Sequence, residues 1–496
     1  MGDGRATAAR GGPLSLFSNA LLTDLYELTM AFGYWRVGKH RDEAVFHLFF
    51  REEPFDGGYA IAAGLADAIR YLESLRFNGD DLEYLRAQTG NDSKPLFAPE
   101  FLDYLRNMHL TCDVDAVPEG TVVFAGEPLV RVRGPIDQSQ IVESALLKII
   151  NFQTLVATKT ARIVFAAKGD PVIDFGLRRA QGDDGAIAAT RAAYIGGADS
   201  TSNVLAGAQL GIPTKGTHAH SWVMSFDSER EAFEAWAEAL PNNVLLLVDT
   251  YNTLHGVKTA IEVGKELRKR GREFMGIRLD SGDLAYLSIE ARKMLDAAGF
   301  PNASIAASNE LDEHVITSLK DQNAKINLWG VGTRLITAYD QPALGGVYKL
   351  GALRRAGGQW EHRIKVSEQA SKITTPGSLQ VRRFFSGNEA AGDMVWDELI
   401  GDPSRTIVDP ADLTRRKSFA GDAPHEDLLV PVFRSGKRVY NPPSLGDIRA
   451  RRERDFARFH DGIKRFVNPH RYPVGLEQKL FDLRTQLVLQ ARGAAV

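Results

Sequence analysis

Apolar positions in the first 137 residues alternate between helical and strand-like spacing. Between residues 21 and 36 they recur at near-helical intervals, which predicts a helix with Thr23 and Asp24 near its start. The pattern continues with a strand, two helices and further strands, at residues 44–50, 65–75, 81–86 and 114–134. We therefore expect an α+β domain over residues 18–137, preceded by a disordered Gly/Ala/Arg-rich tail at residues 1–17.

From residue 138 to residue 345, short apolar strands alternate with helices, beginning with a long helical stretch at residues 140–167. This alternation is typical of a parallel sheet that is covered on both faces. We expect an irregular, TIM-like α/β barrel here, with an open doubly wound sheet as the alternative. Both architectures bind ligands at the carboxyl ends of the strands, where polar residues gather in this sequence: Arg178, His220, Asp249, Asp280, Asn309 and Thr333.

Beyond residue 345 the spacing is strand-like again, and we expect those strands to rejoin the N-terminal sheet as part of a C-terminal region, residues 346–496. From residue 444 onward the pattern is helical and rich in mixed charge. Glu453 and Asp455 interrupt a basic cluster there, which predicts a solvated helix face rather than a nucleic-acid site; its members are Arg449, Arg451, Arg452 and Arg454.

Composition narrows the class of protein. The 496 residues are 44% hydrophobic and 25% charged, as in ordinary globular proteins, and the net charge of −3 gives no reason to expect nucleic acid or an anionic membrane as a partner. The single cysteine, Cys112, excludes an internal disulfide and a cysteine-based zinc cluster. No run of about 18 apolar residues predicts a membrane span, and the first residues lack a signal-peptide core. We expect a cytoplasmic protein.

Two histidines, His218 and His220, follow an apolar run that ends at Pro213. On a strand, this spacing would put both imidazoles on one face, while Gly216 and Thr217 leave room for a ligand. A histidine at a strand end is a candidate nucleophile, general base or metal ligand, and a hydrogen-bonded core histidine is the plain alternative. A metal-dependent hydrolase would use the pair as ligands but needs further histidines at strand tips, whereas His255 and His314 fall in predicted helices.

Three further segments could bind anions. Arg178 and Arg179 follow a predicted strand and offer guanidinium groups suited to phosphate or carboxylate. Arg278 and Asp280 share one face of another strand end, where they could form a simple salt bridge. Alternatively, Arg278 could bind an anion while Asp280 holds a hydrated Mg²⁺ or sugar hydroxyls. Residues 330–333 end a late strand with small residues and exposed amides, a workable phosphate cradle. A phosphorylated substrate and a metal are therefore expected, with a non-catalytic phosphosugar-binding protein as the alternative.

Several motifs resemble the nicotinate phosphoribosyltransferase family, in order, over roughly residues 20 to 380. They are Leu-Leu-Thr-Asp-Leu-Tyr at 21–26, Gly-Leu-Arg-Arg-Ala-Gln-Gly at 176–182, Ser-Thr-Ser-Asn-Val-Leu-Ala-Gly at 200–207, Gly-Thr at 216–217 with Ala-His-Ser at 219–221, Arg-Leu-Asp-Ser-Gly-Asp at 278–283, Gly-Val-Gly-Thr at 330–333 and Tyr-Lys-Leu at 348–350. The loop at Pro376-Gly377 keeps the family's Pro-Gly but has Ser-Leu where a basic residue is common, which puts a phosphate contact there in doubt.

The resemblance implies an enzyme that makes nicotinate mononucleotide and pyrophosphate from nicotinate and phosphoribosyl pyrophosphate, coupled to ATP hydrolysis and with Mg²⁺, in the salvage of NAD. It implies an irregular α/β barrel in a homodimer with active sites at the subunit boundary. The nicotinamide-using relative is the closest alternative enzyme.

The resemblance also assigns residues. His220 matches the histidine that ATP phosphorylates. From their places at the strand ends, Asp249 or Asp280 could orient the ring, and Asp280 is a candidate Mg²⁺ contact. Substrate-binding positions are Thr217 and Arg278 for nicotinate; Arg178, Gly332 and Thr333 for the phosphoribosyl group; Ser221 beside the histidine; and Tyr26, which would stack on the pyridine ring from the other subunit.

Overall fold

An antiparallel sheet and four helices form the first third of the chain. The computed structural model describes residues 18–369 and 372–493, so the predicted tail, residues 1–17, lies outside the described part. The helices here are α1 (Leu25–Arg36), α2 (Leu65–Ser74), α3 (Gly79–Arg86) and α4 (Pro99–Asn107). The strands are β1 (Glu43–Phe50), β2 (Ala60–Ile61), β3 (Asp113–Ala116), β4 (Val122–Val123) and β5 (Val130–Pro135).

Strands and helices alternate through the middle of the chain, as the apolar spacing predicts. The helices are α5 (Ile136–Ile141), α6 (Glu143–Ala167), α7 (Asp183–Gly196), α8 (Val204–Leu210), α9 (His220–Met224), α10 (Glu229–Ala239), α11 (Thr253–Lys269), α12 (Leu284–Ala297), α13 (Glu313–Asp321) and α14 (Thr333–Ile336). The strands are β6 (Val172–Asp174), β7 (Ser200–Thr201), β8 (Leu245–Leu247), β9 (Gly276–Leu279), β10 (Ser304–Ala307) and β11 (Leu328–Val331).

The C-terminal region contains more strand than its sequence predicts. Its strands are β12 (Gly346–Arg354), β13 (Trp360–His362), β14 (Leu379–Ser386), β15 (Glu389–Asp397), β16 (Thr406–Val408), β17 (Arg416–Ser418), β18 (His425–Asp427), β19 (Val430–Arg434), β20 (Lys437–Arg438) and β21 (Val474–Glu477). Two helices follow the predicted helical pattern, α15 (Leu445–Ala457) and α16 (Gln478–Ala491), but β21 lies between them and joins a sheet.

Strands from both ends of the chain share the N-terminal sheet, whose order is β13-β12-β1-β5-β3-β19-β20. β12 pairs antiparallel with β1, so strands after residue 345 do return to the N-terminal sheet as expected. A separate six-stranded sheet, β17-β16-β21-β15-β14-β18, is formed entirely by later residues. That sheet was not predicted from the sequence.

The helical stretch Ile136–Ala167, which comprises α5 and α6, is long and apolar enough to cross a membrane, although the sequence predicts no span. In the fold it is a core element, because 67% of its most apolar window is buried. Its α6 packs against α7 and α13. It also contacts β12 of the N-terminal sheet and β6 of the parallel sheet, and so connects the two sheets.

The parallel sheet has the order β7-β6-β11-β10-β9-β8 and remains open between β7 and β8. The prediction of a closed barrel is therefore not confirmed, although the α/β alternation is. Within residues 18–369 and 372–493, the segment expected as a strand just before His220 pairs through a single isolated bridge, from Thr214 to Thr201. Pro213 lacks an N–H for a ladder and Gly216 weakens an extended strand, which accounts for the difference. At the other edge, the Leu247 N–H of β8 donates to the His218 imidazole, at 3.2 Å.

Candidate active site

Arg278 is held on two sides at the carboxyl end of β9. Its Nε donates to Ser308 Oγ at 2.9 Å, and its NH1 group donates to Thr217 Oγ1 at 2.6 Å and to the His218 carbonyl at 3.4 Å. Both hydroxyl partners are neutral and come from neighbouring segments. The guanidinium group is therefore oriented by hydrogen bonds to neutral groups.

Asp280 lies on the same face of β9 as Arg278, and the nearest atoms of the two side chains are 3.6 Å apart. One carboxylate oxygen of Asp280 accepts the Ser308 hydroxyl. Its backbone N–H donates to Asp249 Oδ2 at 2.9 Å, and Ser281 donates to the same oxygen at 2.6 Å. Asp249 thus fixes the turn that carries Asp280.

His220 is the first residue of α9, and its side chain is 39% exposed, so that a ligand can reach the ring. Nδ1 lies 3.1 Å from Thr250 Oγ1, and Nε2 lies 3.6 Å from Asp280 Oδ2. Of the two carboxylates that the sequence left open, Asp280 faces the ring, whereas Asp249 acts on the backbone behind it. Thr250, which sequence reasoning missed, contacts the other ring nitrogen.

His218 does not share a face with His220, because residues 216–219 are not a strand. It is 4% exposed and packs edge-on against Trp236, with ring centres 5.0 Å apart. Burial, and to a lesser degree the nearby Arg278, lower its pKa to about 4. The neutral Nε2 can then accept the Leu247 N–H. His218 is therefore the hydrogen-bonded core histidine of the plain alternative.

Within residues 18–369 and 372–493, no group of three or more His, Cys, Asp or Glu side chains is arranged to hold a metal ion. The ligand set that a metal-dependent hydrolase needs is therefore not present in this part of the chain. His255 and His314 lie on α11 and α13, as the sequence predicts.

Arg178 and Thr333 follow two strands that pair directly, β6 and β11. The Phe175 N–H donates to the Val331 carbonyl at 2.8 Å, which fixes the two strand ends together. A Cβ on Gly330 would lie 2.5 Å from the Phe175 ring, so this position requires glycine. Exposed Arg178 therefore lies near half-buried Gly332 and Thr333.

Comparison with known proteins assigns the chain to a family. Residues 21–151, 171–361 and 380–484 match the N-terminal domain, the family region and the C-terminal domain of nicotinate phosphoribosyltransferase. The Bacillus subtilis nicotinate phosphoribosyltransferase is 43% identical over 480 residues, 96% of each chain. The chain belongs to the nicotinate phosphoribosyltransferase family.

Other relatives agree with this assignment. The human nicotinate phosphoribosyltransferase is 34% identical over 529 residues, covering 94% of this chain and 96% of the relative. A human nicotinic acid phosphoribosyltransferase crystal structure has a TM-score of 0.81 at 32% identity, covering 94% of this chain and 99% of that one. A Pyrococcus furiosus nicotinate-nucleotide pyrophosphorylase structure, with a TM-score of 0.68 at 21% identity over 92% of this chain and 99% of that one, is similar in fold alone.

Asp174 also shapes the candidate site of this family member, although sequence reasoning missed it. Its buried carboxylate accepts from the Gly176 N–H at 2.8 Å and from the Thr201 and Thr190 hydroxyls at 2.9 and 3.0 Å. Burial raises its pKa. These contacts set the turn that leads to Arg178, and a lone acidic residue ending an apolar strand was the available signal.

Tyr26 and Ser221 complete the predicted set. Tyr26 is 47% exposed on α1, and burial of its hydroxyl and the carboxylates of Glu143, Glu27 and Asp24 raise its pKa. Glu143 belongs to α6, and Asp24 and Glu27 belong to the start of α1, so the groups that contact Tyr26 are not those that contact Arg278. Ser221 is exposed and directly follows His220.

In the Pro376-Gly377 loop, the backbone N–H groups of Gly377 and Ser378 both already donate hydrogen bonds within the protein. Gly377 N–H donates to the Gly351 carbonyl at 2.9 Å, and Ser378 N–H donates to Asp397 Oδ1 at 2.7 Å. A phosphate contact through these amides is therefore not supported.

Proposed function

We propose that this chain transfers the phosphoribosyl group of phosphoribosyl pyrophosphate to nicotinate, releases nicotinate mononucleotide and pyrophosphate, and couples this transfer to ATP hydrolysis. The observation that carries the proposal is the exposed His220 ring, which lies between Thr250 and Asp280, the carboxylate that also faces Arg278. Membership of the family supplies the substrate class.

Nicotinate would bind through its carboxylate to Arg278. The NH2 group of this guanidinium has no hydrogen-bond acceptor within bonding distance among residues 18–369 and 372–493, and its two hydrogens suit a carboxylate. Nicotinamide lacks that charge and should bind poorly.

Tyr26 would stack on the pyridine ring from a second copy of the chain, in a homodimer. An exposed apolar strip on and beside α1 supports such an interface, since contiguous exposed apolar surface is a common mark of one. Its members are Leu22, Leu25, Tyr26 and Met30.

Transfer itself needs positioning and charge stabilisation. The bond from ribose C1 to pyrophosphate breaks with oxocarbenium character, and the pyridine nitrogen attacks from the opposite face. Arg178, Gly332 and Thr333, at paired strand ends, would bind the phosphoribosyl substrate. Asp280, with its side chain 31% exposed, suits Mg²⁺, which takes one or two carboxylates plus substrate phosphates. A bound Mg²⁺ would neutralise charge on the departing pyrophosphate.

His220 would take the phosphoryl group of ATP. A ring nitrogen attacks the γ-phosphorus, the bond to ADP breaks, and water later releases phosphate from the ring. The phosphorylated ring would add negative charge and acceptor oxygens beside the pyrophosphate site. Its formation and loss would change substrate affinity and so drive product formation.

The role of His220 in ATP coupling can be tested directly. His220→Ala should abolish ATP hydrolysis linked to turnover, because it removes the phosphoryl acceptor. We would measure ADP and nicotinate mononucleotide together, with nicotinamide as the comparison base. His255→Ala, which changes an exposed histidine on α11, is the control and should keep the wild-type ratio. ATP consumption by His220→Ala at the wild-type ratio to product would refute the assignment.

A further inference from the structure

Ser308 separates two side chains that the strand spacing would otherwise bring together. Arg278 and Asp280 project from one face of β9, yet their nearest atoms remain 3.6 Å apart. Between them, the Ser308 hydroxyl accepts from Arg278 Nε at 2.9 Å and donates to Asp280 Oδ1. An arginine and a carboxylate this close would normally form a bidentate pair.

The parallel register places the serine there. Ala306 and Ala307 of β10 pair with Arg278 and Leu279 of β9, so Ser308 comes next to Asp280. The Ser308 N–H donates to the Leu279 carbonyl at 2.9 Å, and Ser308 is 5% exposed. Its hydroxyl position is therefore set by the sheet rather than by a mobile loop.

Arg278 is held from its other end as well. Thr217 accepts from NH1 at 2.6 Å, and the His218 carbonyl lies 3.4 Å from the same nitrogen. With Nε donated to Ser308, the two NH2 hydrogens have no acceptor within hydrogen-bonding distance in the described part of the chain. The Asp280 carboxylate lies 3.6 Å from NH2 and accepts a hydrogen bond from the Ser308 hydroxyl.

We propose that Ser308 is a specificity-determining positioning residue, which keeps Asp280 from hydrogen bonding to the NH2 group of Arg278 and so leaves the hydrogens of that group for the carboxylate of the base. The inference rests on the proposed function. Without the hydroxyl, Asp280 closes its 3.6 Å ion-pair contact with Arg278 to a hydrogen bond and takes up the NH2 hydrogens. The carboxylate of nicotinate is then repelled by the Asp280 carboxylate, whereas the neutral amide of nicotinamide is not. The preference of the enzyme for nicotinate over nicotinamide therefore falls.

The test compares Ser308→Val with Ser308→Thr, two side chains of the same shape that differ in the hydroxyl. Initial rates with nicotinate, nicotinamide and phosphoribosyl pyrophosphate would be measured at saturating ATP. We expect Ser308→Val to raise the nicotinate KM by about tenfold, roughly the effect of one lost hydrogen bond to a charged group. The phosphoribosyl pyrophosphate KM should change less than the nicotinate KM. Preference for nicotinate over nicotinamide should fall by a similar factor, and Ser308→Thr should restore it.

Ser318→Ala is the matched control, because its exposed hydroxyl lies on α13 and should leave all values at those of wild type. An unchanged nicotinate KM in Ser308→Val, or equal losses for both bases and for phosphoribosyl pyrophosphate, would overturn the inference. The proposed function fails separately, if the wild-type protein makes no nicotinate mononucleotide. Thermal unfolding of both variants would show whether either one has a folding defect. If Ser308→Val is misfolded, Ser308→Thr decides the question. Wild-type selectivity in Ser308→Thr supports the role of Ser308, and loss of selectivity in a folded Ser308→Thr contradicts it.

Discussion

Two arginines on strands, each with a nearby aspartate, have opposite environments in this molecule. Arg278 lies at the end of β9, 3.6 Å from Asp280, and donates mainly to neutral hydroxyls. Arg383 on β14 is fully buried and makes three contacts with Asp393, at 2.6, 3.0 and 3.1 Å. It also donates to the Val122 carbonyl at 2.8 Å and to Asp455 at 3.3 Å.

The difference separates a structural arginine from one available to a ligand. The donors of Arg383 are taken up by groups from β4, β15 and α15, so this side chain connects the C-terminal sheet to the N-terminal domain. Arg278 is equally well oriented, but within residues 18–369 and 372–493 its NH2 hydrogens have no hydrogen-bond acceptor, and their ion-pair contact with Asp280 is 3.6 Å long. A buried, fully paired charge stabilises a fold only while all its partners remain, whereas an oriented, unsaturated one is suited to bind a ligand.

Replacement of the buried arginine should have the largest effect. Arg383→Leu leaves the Asp393 and Asp455 carboxylates buried without their cation and should lower the free energy of unfolding by about 3–5 kcal/mol. Urea unfolding would measure this loss. The control is Arg382→Leu on the same strand, whose partner Asp427 is 36% exposed and whose loss should cost less than about 1 kcal/mol. Equal losses in the two variants would mean that the buried network contributes nothing special.

The second prediction concerns His218, whose carbonyl and neighbouring threonine hold Arg278. Burial first, and then Arg278, lower the pKa of His218 to about 4, against about 6.5 in an unfolded chain. Below pH 6.5 the unfolded chain takes up a proton that the folded protein cannot, so stability falls as the pH falls toward 4. The total contribution is about 3 kcal/mol, present in full above the unfolded pKa.

Urea unfolding at a series of pH values would measure this dependence. His218→Asn should be less stable at pH 7 but should lose about 1.4 kcal/mol less per pH unit between pH 6 and pH 4.5. His109→Gln, at an exposed histidine, should keep the wild-type slope. If His218→Asn also keeps that slope, the buried ring is not the group responsible.

The positions of the candidate site residues could largely be predicted from the sequence. Parallel strands bring their carboxyl ends to one edge of a sheet, so Arg278, Asp280 and His220 were expected together from their places after apolar runs. The direction in which each side chain points was less accessible. His218 was expected beside His220, but Pro213 and Gly216 interrupt the strand, and the ring turns toward β8 instead.

Contacts between distant segments could not be predicted. The arginines of α15 were expected on a solvated face, yet Arg452 is 6% exposed and donates to the Gly196 carbonyl, and Arg449 pairs with Asp199 at 2.7 Å. Charge spacing along one helix says nothing about which other helix will cover it. Ser308 was missed for the same reason, because its role depends on the register between β9 and β10.

The third prediction tests the available arginine directly. Arg278→Ala should weaken nicotinate binding by about 1.5–3 kcal/mol, the range for a hydrogen bond to a charged group, and should cost less stability than Arg383→Leu because its main partners are neutral hydroxyls. Arg278→Lys keeps the charge but loses the planar fork, so it should bind nicotinate with intermediate strength. Nicotinate KM with both variants, beside their urea unfolding curves, measures the two effects. A large loss of stability with an unchanged nicotinate KM would place Arg278 with Arg383 as a structural residue.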